Sequence, residues 1–441
     1  MVLIPMSKSL NDWLAYIEQQ HTQAIELGLD RLFVVKAALT QTQTCPLIIV
    51  GGTNGKGSTC AMLEAILTAA GYRVGLYTSP HLLHYNERVR INGQPASDAA
   101  LCAAFTRVEA ARREKAGDVP LTYFEFGTLS AWEAFAAAGL DVIILEVGLG
   151  GRLDAVNIYD PDCAIVTGID LDHMDFLGDT REKIGFEKAG IFRAGKPAIC
   201  GDFQVPHTLV EHAQSLGADL QLIGRDFGYA TQSETRQWSW WGRSQAKRGG
   251  LAYPALRGAR QLGNASCVLA ALDALQGSLP LSMAEVRQGL AVVELPGRFQ
   301  TLPGRPVTVL DVAHNPQAAR VLADNLLDQG FFGTTWAVCG MLRDKDMAGV
   351  IAALKGRVER WLPATLAGPR GASSAVLASC LQAAGETVEA EFDTVRAAYA
   401  YAQEKAAEND RIVVFGSFLT VADVLESRPP TAPIGSIGSK G

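Results

Sequence analysis

Leu47-Ile48-Ile49-Val50-Gly51-Gly52-Thr53-Asn54-Gly55-Lys56-Gly57-Ser58 is a short apolar run that opens into a glycine-rich turn with one lysine, and a helical pattern follows to about Ala70. A strand, a tight turn and a helix in that order aim backbone N–H groups and a helix N-terminus at an anion. Gly51, Gly52, Gly55 and Gly57 let the backbone curl. Lys56 can then reach the outer phosphates of a nucleotide, and Ser58 or Thr59 can approach a metal ion. The general G-x-x-x-x-G-K-[ST] pattern is not met, because position 50 is Val and Gly57 separates Lys56 from Ser58. The departure points to a narrower class, and the loop is expected to bind phosphate.

Outward from the loop the alternation repeats. Val74–Tyr77, Val142–Val147, Ala164–Thr167 and Pro197–Cys200 read as strands with helical stretches between them. Continuous apolar strands separated by helices predict an α/β fold with a mostly parallel sheet covered on both faces. Residues 10–40 read as helices, with apolar positions at three and four spacing around Leu14, Ile17 and Ile25. The Trp-, Ser- and Gly-rich stretch 225–260 reads instead as irregular or antiparallel strands, followed by a helix from about Asn264 to Leu275. Leu295-Pro296-Gly297-Arg298 is a turn-forming linker. Beyond it Val307–Leu310, Thr335–Cys339, a run near Trp361 and Ile412–Phe415 predict a second, smaller α/β domain. The expected division is 1–295, 296–426 and a disordered tail, 427–441, rich in Pro, Gly and Ser.

Of 441 residues nearly half are hydrophobic, enough for a large core, and the net charge is -7. That balance argues against nucleic acid as the main ligand, since duplex affinity rests on Lys and Arg neutralising phosphates. Eight cysteines are scattered with no C-x-x-C pair, which reads as reduced, buried thiols. There is no basic n-region followed by a long apolar segment, and Asp141 and Glu146 interrupt the best candidate span. A cytoplasmic protein with no membrane partner is expected.

Open parallel sheets bind ligands beyond the carboxyl ends of their strands. Three metal-ligand candidates fall there: Ser79, Glu146 and His173. A carboxylate closing Val142-Ile143-Ile144-Leu145 is costly unless paired or coordinated. Lys188, in Glu187-Lys188-Ala189-Gly190-Ile191, reads on spacing alone as a solvated residue of a helix that Asp179 and Glu182 could cap reciprocally.

The longer motifs are more specific. They are Gly52–Ser58, Ser79-Pro80-His81, Glu87-Arg88-Val89-Arg90, Thr122-Tyr123-Phe124-Glu125, Glu146–Asn157, Asp172-His173, Glu187–Ile191, Leu295–Phe299 and Asp311–Pro316. In this order and spacing, from about residue 10 to 426, the chain resembles the bifunctional dihydrofolate synthase/folylpolyglutamate synthase family of the Mur ligase superfamily. The resemblance implies a P-loop-type domain like the Mur ligase central domain, carrying a pteroate site, and then a Rossmann-like C-terminal domain. It implies a monomeric ligase that uses ATP and Mg²⁺, with two ions, to join L-glutamate to 7,8-dihydropteroate and to reduced folates through an acyl phosphate.

The same resemblance assigns roles to matching positions. Thr53, Asn54, Gly55, Lys56, Gly57 and Ser58 would hold the ATP phosphates, and Ser79, Glu146 and His173 would bind Mg²⁺. Lys188 would be carbamylated and help to hold a second ion, which reverses the reading from spacing. Lys56, Lys188 and His173 would thus be the catalytic set. Asn264, Arg298 and Asp311 would contact the nucleotide, and closure of the two domains would exclude water from the acyl phosphate. Thr122, Tyr123, Phe124, Glu125, Leu153, Asp154 and Ala155 would line the pteroate site. Phe124 would stack on a ring of the substrate, and Glu125 or Asp154 would accept pterin N–H groups. The segment Arg260-Gln261-Leu262-Gly263 departs from the family pattern, which leaves the adenine side open. A peptidoglycan-type ligase is the rival reading; only fifty residues precede Gly51, too few for its usual nucleotide-sugar domain.

Overall fold

The structure is a computed structural model that describes residues 9–23, 25–39, 42, 44–232, 237–243, 247–258 and 260–427. It divides into two compact units, Met1–Leu295 and Pro296–Gly441. Apart from Ser427, the tail 427–441 lies outside the described residues.

The first unit is built on an eight-stranded sheet. Its centre is Leu47–Gly51, flanked in parallel by Val142–Glu146 on one side and Cys163–Val166 on the other. Val74–Tyr77 extends the first side and Pro197–Cys200 the second, both parallel. Apart from Glu146 at the end of its strand, all five strands are apolar, and they are almost wholly buried, as a sheet covered on both faces requires. The edges carry what hydrophobic runs cannot announce. Val89–Ile91 and Gln94–Pro95 add an antiparallel hairpin at one edge, and Asp219–Leu222, half polar, adds a parallel strand at the other.

One face packs on the helices Leu10–Glu18, Asp98–Ala110 and Tyr123–Ala138, around Trp13, Phe105, Phe126 and Phe135. The other packs on Lys56–Ala69, Gln261–Ala274 and Met283–Val292. The Trp-rich stretch is a three-stranded antiparallel sheet, Gly228–Gln232, Gln237–Trp241 and Lys247–Ala252, that buries Trp238 and Trp240 in the second core. In the second unit, Val307–Asp311, Arg411–Phe415, Thr335–Cys339 and Arg360–Pro363 pair in parallel in that order, with Gln300–Leu302 antiparallel at the edge.

Two expectations are corrected. Residues 10–40 form the helices Leu10–Glu18 and Asp30–Leu39, but Ile25 lies in the connection between them. Polar residues and Gly28 interrupt the helical period there. The helix Arg181–Ala189 is capped by Thr180, whose hydroxyl accepts the Lys183 N–H at 3.3 Å, not by a box of Asp179 and Glu182. Asp179 pairs with Lys183, and Glu182 accepts the backbone N–H groups of His207 and Thr208.

Candidate active site

Lys56 starts the helix that follows the central strand. Its N-cap, Gly55, sits at φ 93° and offers no side-chain cap, so the first-turn N–H groups are left for an anion. Gly52, at φ 141°, lies so close to Thr167 that an added Cβ would stand 1.9 Å from Oγ1. Only glycine fits. The turn is sewn to the neighbouring loop: the Thr53 N–H donates to the Gly168 oxygen at 2.7 Å, and its hydroxyl meets the Asp170 N–H at 3.0 Å. The Lys56 ammonium curls back onto the Gly52 and Thr53 carbonyls at 2.9 and 3.3 Å. Of the two hydroxyls offered for a metal, Thr59 is sealed in the core without a hydrogen-bond partner, while Ser58 accepts from Gln261 at 3.3 Å. Gln261 in turn accepts from Asn264 at 3.0 Å, which places Asn264 beside the phosphate loop.

Glu146 and Ser79 meet at the ends of adjacent strands, where the Ser79 N–H donates to Glu146 Oε2 at 3.2 Å. His173 begins a short helix at φ 50°, a left-handed conformation that non-glycine residues adopt at a cost. Among the described residues no three His, Cys, Asp or Glu side chains form a metal-binding group by themselves. One hydroxyl, one carboxylate and one imidazole suit instead a hard ion that takes most of its shell from phosphate and water.

Lys188 is buried, at 3% exposure. Glycines put it there. A Cβ on Gly151 would stand 2.7 Å from the Glu187 carbonyl, and one on Gly190 would stand 2.4 Å from Arg152 Cβ. The Gly148–Asn157 segment therefore lies flush on the Lys188 helix, fastened by Arg152–Glu187 at 2.8 Å and by the Asn157 amide on the Arg152 and Gly190 carbonyls. Burial, with Lys56 nearby, brings the Lys188 ammonium down to about 7, against the opposing pull of Asp172 and Asp154. Burial raises the Asp154 carboxyl to about 6, although the backbone N–H groups of Leu149 and Val156 donate to it at 2.8 and 3.1 Å.

A cavity of about 270 Å³ opens beside these groups. Thr122, Phe124, Glu125, Leu153, Asp154 and Ala155 line it, and so do Ser79 and His173. Tyr123 does not; it packs edge-on against Tyr85. The Phe124 ring is held between Tyr77, at 6.0 Å between centroids, and the bare Cα of Gly148. Four parts of the wall have no assignment from sequence: the loop Ile25–Gly28, Pro80, Arg88 and Gly148–Leu149. Arg88 carries a signal, lying in the Glu87–Arg90 motif, whereas the loop has none because its apolar residues mimic helical spacing. In the second unit, Asp311 accepts the N–H groups of Phe299 and Ala313 at 2.9 and 2.8 Å, which sets Arg298 next to it.

A glycine-rich turn opening a helix, beside a strand-end carboxylate and a cavity with an aromatic and acidic wall, is the arrangement expected of an ATP-using ligase of the Mur type. The Mur ligase middle domain matches residues 50–215, and the Mur ligase glutamate ligase domain matches 297–418. The Escherichia coli dihydrofolate synthase/folylpolyglutamate synthase is 47% identical over 418 residues, covering 95% of each chain. A solved structure of E. coli FolC with DHPP and ADP superposes with a TM-score of 0.88 at 46% identity, over 95% of this chain and 97% of that one. A bifunctional folylpolyglutamate synthase/dihydrofolate synthase with Mn, AMPPNP and L-glutamate bound gives 0.87 at 47% identity, over 96% and 98%. This chain belongs to the dihydrofolate synthase/folylpolyglutamate synthase family.

Replacing Gly148 by Ala puts a methyl group 2.6 Å from Phe124 Cζ. Gly148→Ala is expected to raise the acceptor KM about tenfold, since displacements of about 1 Å are costly in such sites, and to leave the KM for ATP unchanged. Steady-state kinetics with each substrate varied in turn checks both.

Proposed function

We propose that this chain joins L-glutamate to 7,8-dihydropteroate, forming dihydrofolate, and to the glutamate tail of reduced folates, with ATP converted to ADP and phosphate. One observation carries the reading: Ser79 and His173 open onto the same cavity as Phe124 and Asp154. An acceptor held by the aromatic and acidic wall therefore presents its far end to the metal and phosphate side.

A carboxylate resists amines because it is anionic and has no good leaving group. Its oxygen takes the ATP γ-phosphoryl, and the P–O bond to ADP breaks. The glutamate nitrogen then attacks the acyl carbon, the C–O bond to phosphate breaks, and the amine loses a proton. Phosphoryl transfer is mostly a matter of positioning and charge neutralisation. Lys56, the Gly55–Ser58 backbone and Asn264 hold the nucleotide in this reading. Ser79, Glu146 and His173 would hold Mg²⁺, which would supply charge neutralisation to the transferring group. Phe124 stacks on the acceptor, and Asp154 orients its N–H groups. The Glu125 oxygens accept the Thr122 N–H and Arg31, and the Asp154 oxygens accept the Leu149 and Val156 N–H groups, so each carboxylate meets the acceptor through its remaining lone pairs. In this reading the enzyme acts on small molecules, and the family resemblance makes it a monomer.

Lys188 enters as a carbamate. A buried amine near 7 is substantially neutral at physiological pH, the form that attacks CO₂, with one proton released. The product is an anion, able to help hold a second ion. Intact-mass measurement in bicarbonate buffer is expected to show one added CO₂ that Lys188→Ala lacks; equal masses after correcting for the substitution would refute it.

The function itself is tested by ADP release with Mg-ATP, L-glutamate and dihydropteroate, each omitted in turn. Release is expected to need all three, and to persist when tetrahydrofolate replaces dihydropteroate. Release with tetrahydrofolate alone would mean a polyglutamate synthase only. Silence with both, from folded ATP-binding protein, would remove the folate assignment.

A further inference from the structure

The loop Ile25–Gly28 supplies a wall of the acceptor cavity but belongs to no helix or strand. Such a segment has no ladder of backbone hydrogen bonds to hold it, so its position depends on side chains. The side chain that does so is Arg31, in the first turn of the helix Asp30–Leu39. Its Nη1 pairs with the Glu26 carboxylate. Its Nη2 donates to the Glu26 carbonyl at 3.3 Å and to Glu125 Oε1 at 2.9 Å. The second Glu26 oxygen lies 3.0 Å from His21 Nε2, and the second Glu125 oxygen accepts the Thr122 N–H at 2.8 Å. A continuous line of polar contacts thus runs from His21 through Glu26, Arg31 and Glu125 to Thr122. Three of these residues, Glu26, Glu125 and Thr122, line the cavity.

We propose that Arg31 is a positioning residue for the acceptor: it clamps the Ile25–Gly28 wall to the start of the Thr122–Glu125 helix and so sets the width of the cavity. The guanidinium suits this task because its planar fork reaches two carboxylates and a carbonyl at once, which a lysine ammonium cannot do in the same geometry. A plainly structural role, neutralising the buried Glu125, would lower stability without singling out one substrate. The clamp instead acts on the acceptor side alone, because neither Lys56 nor Asn264 is tied to this line. The proposal rests on the reading of the cavity as the acceptor site.

The test compares wild type with Arg31→Gln, Arg31→Lys and Glu26→Gln, measuring dihydropteroate binding by calorimetry and kcat and KM for dihydropteroate and for Mg-ATP. Arg31→Gln is expected to raise the dihydropteroate Kd and KM about tenfold or more. Its kcat at saturation and its KM for Mg-ATP are expected to stay within about twofold of wild type, the signature of lost ground-state positioning. Arg31→Lys recovers part of the loss. Glu26→Gln, which leaves the Arg31–Glu125 pair in place, moves the acceptor KM in the same direction by less. An unchanged acceptor KM in folded Arg31→Gln, or equal losses for both substrates, overturns the clamp. Should Arg31→Gln fail to fold, an unchanged acceptor KM in Glu26→Gln overturns it. Wild-type protein that binds no dihydropteroate overturns the acceptor reading, whereas wild-type binding with unaltered variants overturns the clamp alone.

Discussion

The Thr167 hydroxyl, wedged against Gly52 and within 2.7 Å of the Asn54 carbonyl oxygen and 3.2 Å of that of Gly51, fixes the turn on which the site depends. A phosphate loop works only if its N–H groups converge, and a glycine at φ 141° has many other conformations to choose from. The neighbouring strand removes that freedom. Thr53 continues the seam by bonding the Gly168 and Asp170 backbone, and three residues past Asp170 stands His173. The glycine-rich turn and the proposed metal ligand His173 are therefore set by a single run of hydrogen bonds between the loops that follow two adjacent parallel strands.

A second seam does the same for the acceptor side. Gly151 and Gly190 let two segments approach to backbone contact, and this contact, not any long-range attraction, buries Lys188 near Asp154. Taking an ammonium out of water disfavours its charge, and Asp172 and Asp154 offset only part of that cost. The environment that lowers the lysine's pKa follows from glycine placement. The same loop carries Gly148, which seats Phe124, so one stretch of sequence shapes both a wall of the cavity and the surroundings of Lys188.

Much of this was legible before the fold was known. The central strands announce themselves by unbroken apolar runs, and the turn at Gly51–Ser58 by its glycines. Edge strands escaped, because Val89–Ile91 and Asp219–Leu222 alternate with polar residues and have few neighbours to demand apolar ones. Lys188 misled on spacing because burial arises from partners distant in sequence, which a helical period cannot report. The Ile25–Gly28 wall and its Arg31 clamp were hidden for a related reason: Glu26, Arg31 and Glu125 acquire meaning only once a loop and a helix start nearly a hundred residues apart are brought together.

If the Thr167 seam sets the phosphate loop, the isosteric change Thr167→Val should weaken Mg-ATP binding selectively. Calorimetric titration is expected to show a loss of about tenfold, the scale of a buried carbonyl left without its donor, with dihydropteroate affinity unchanged. A folded Thr167→Val protein that binds Mg-ATP as tightly as wild type would contradict the account, since the turn would then hold its shape without the seam.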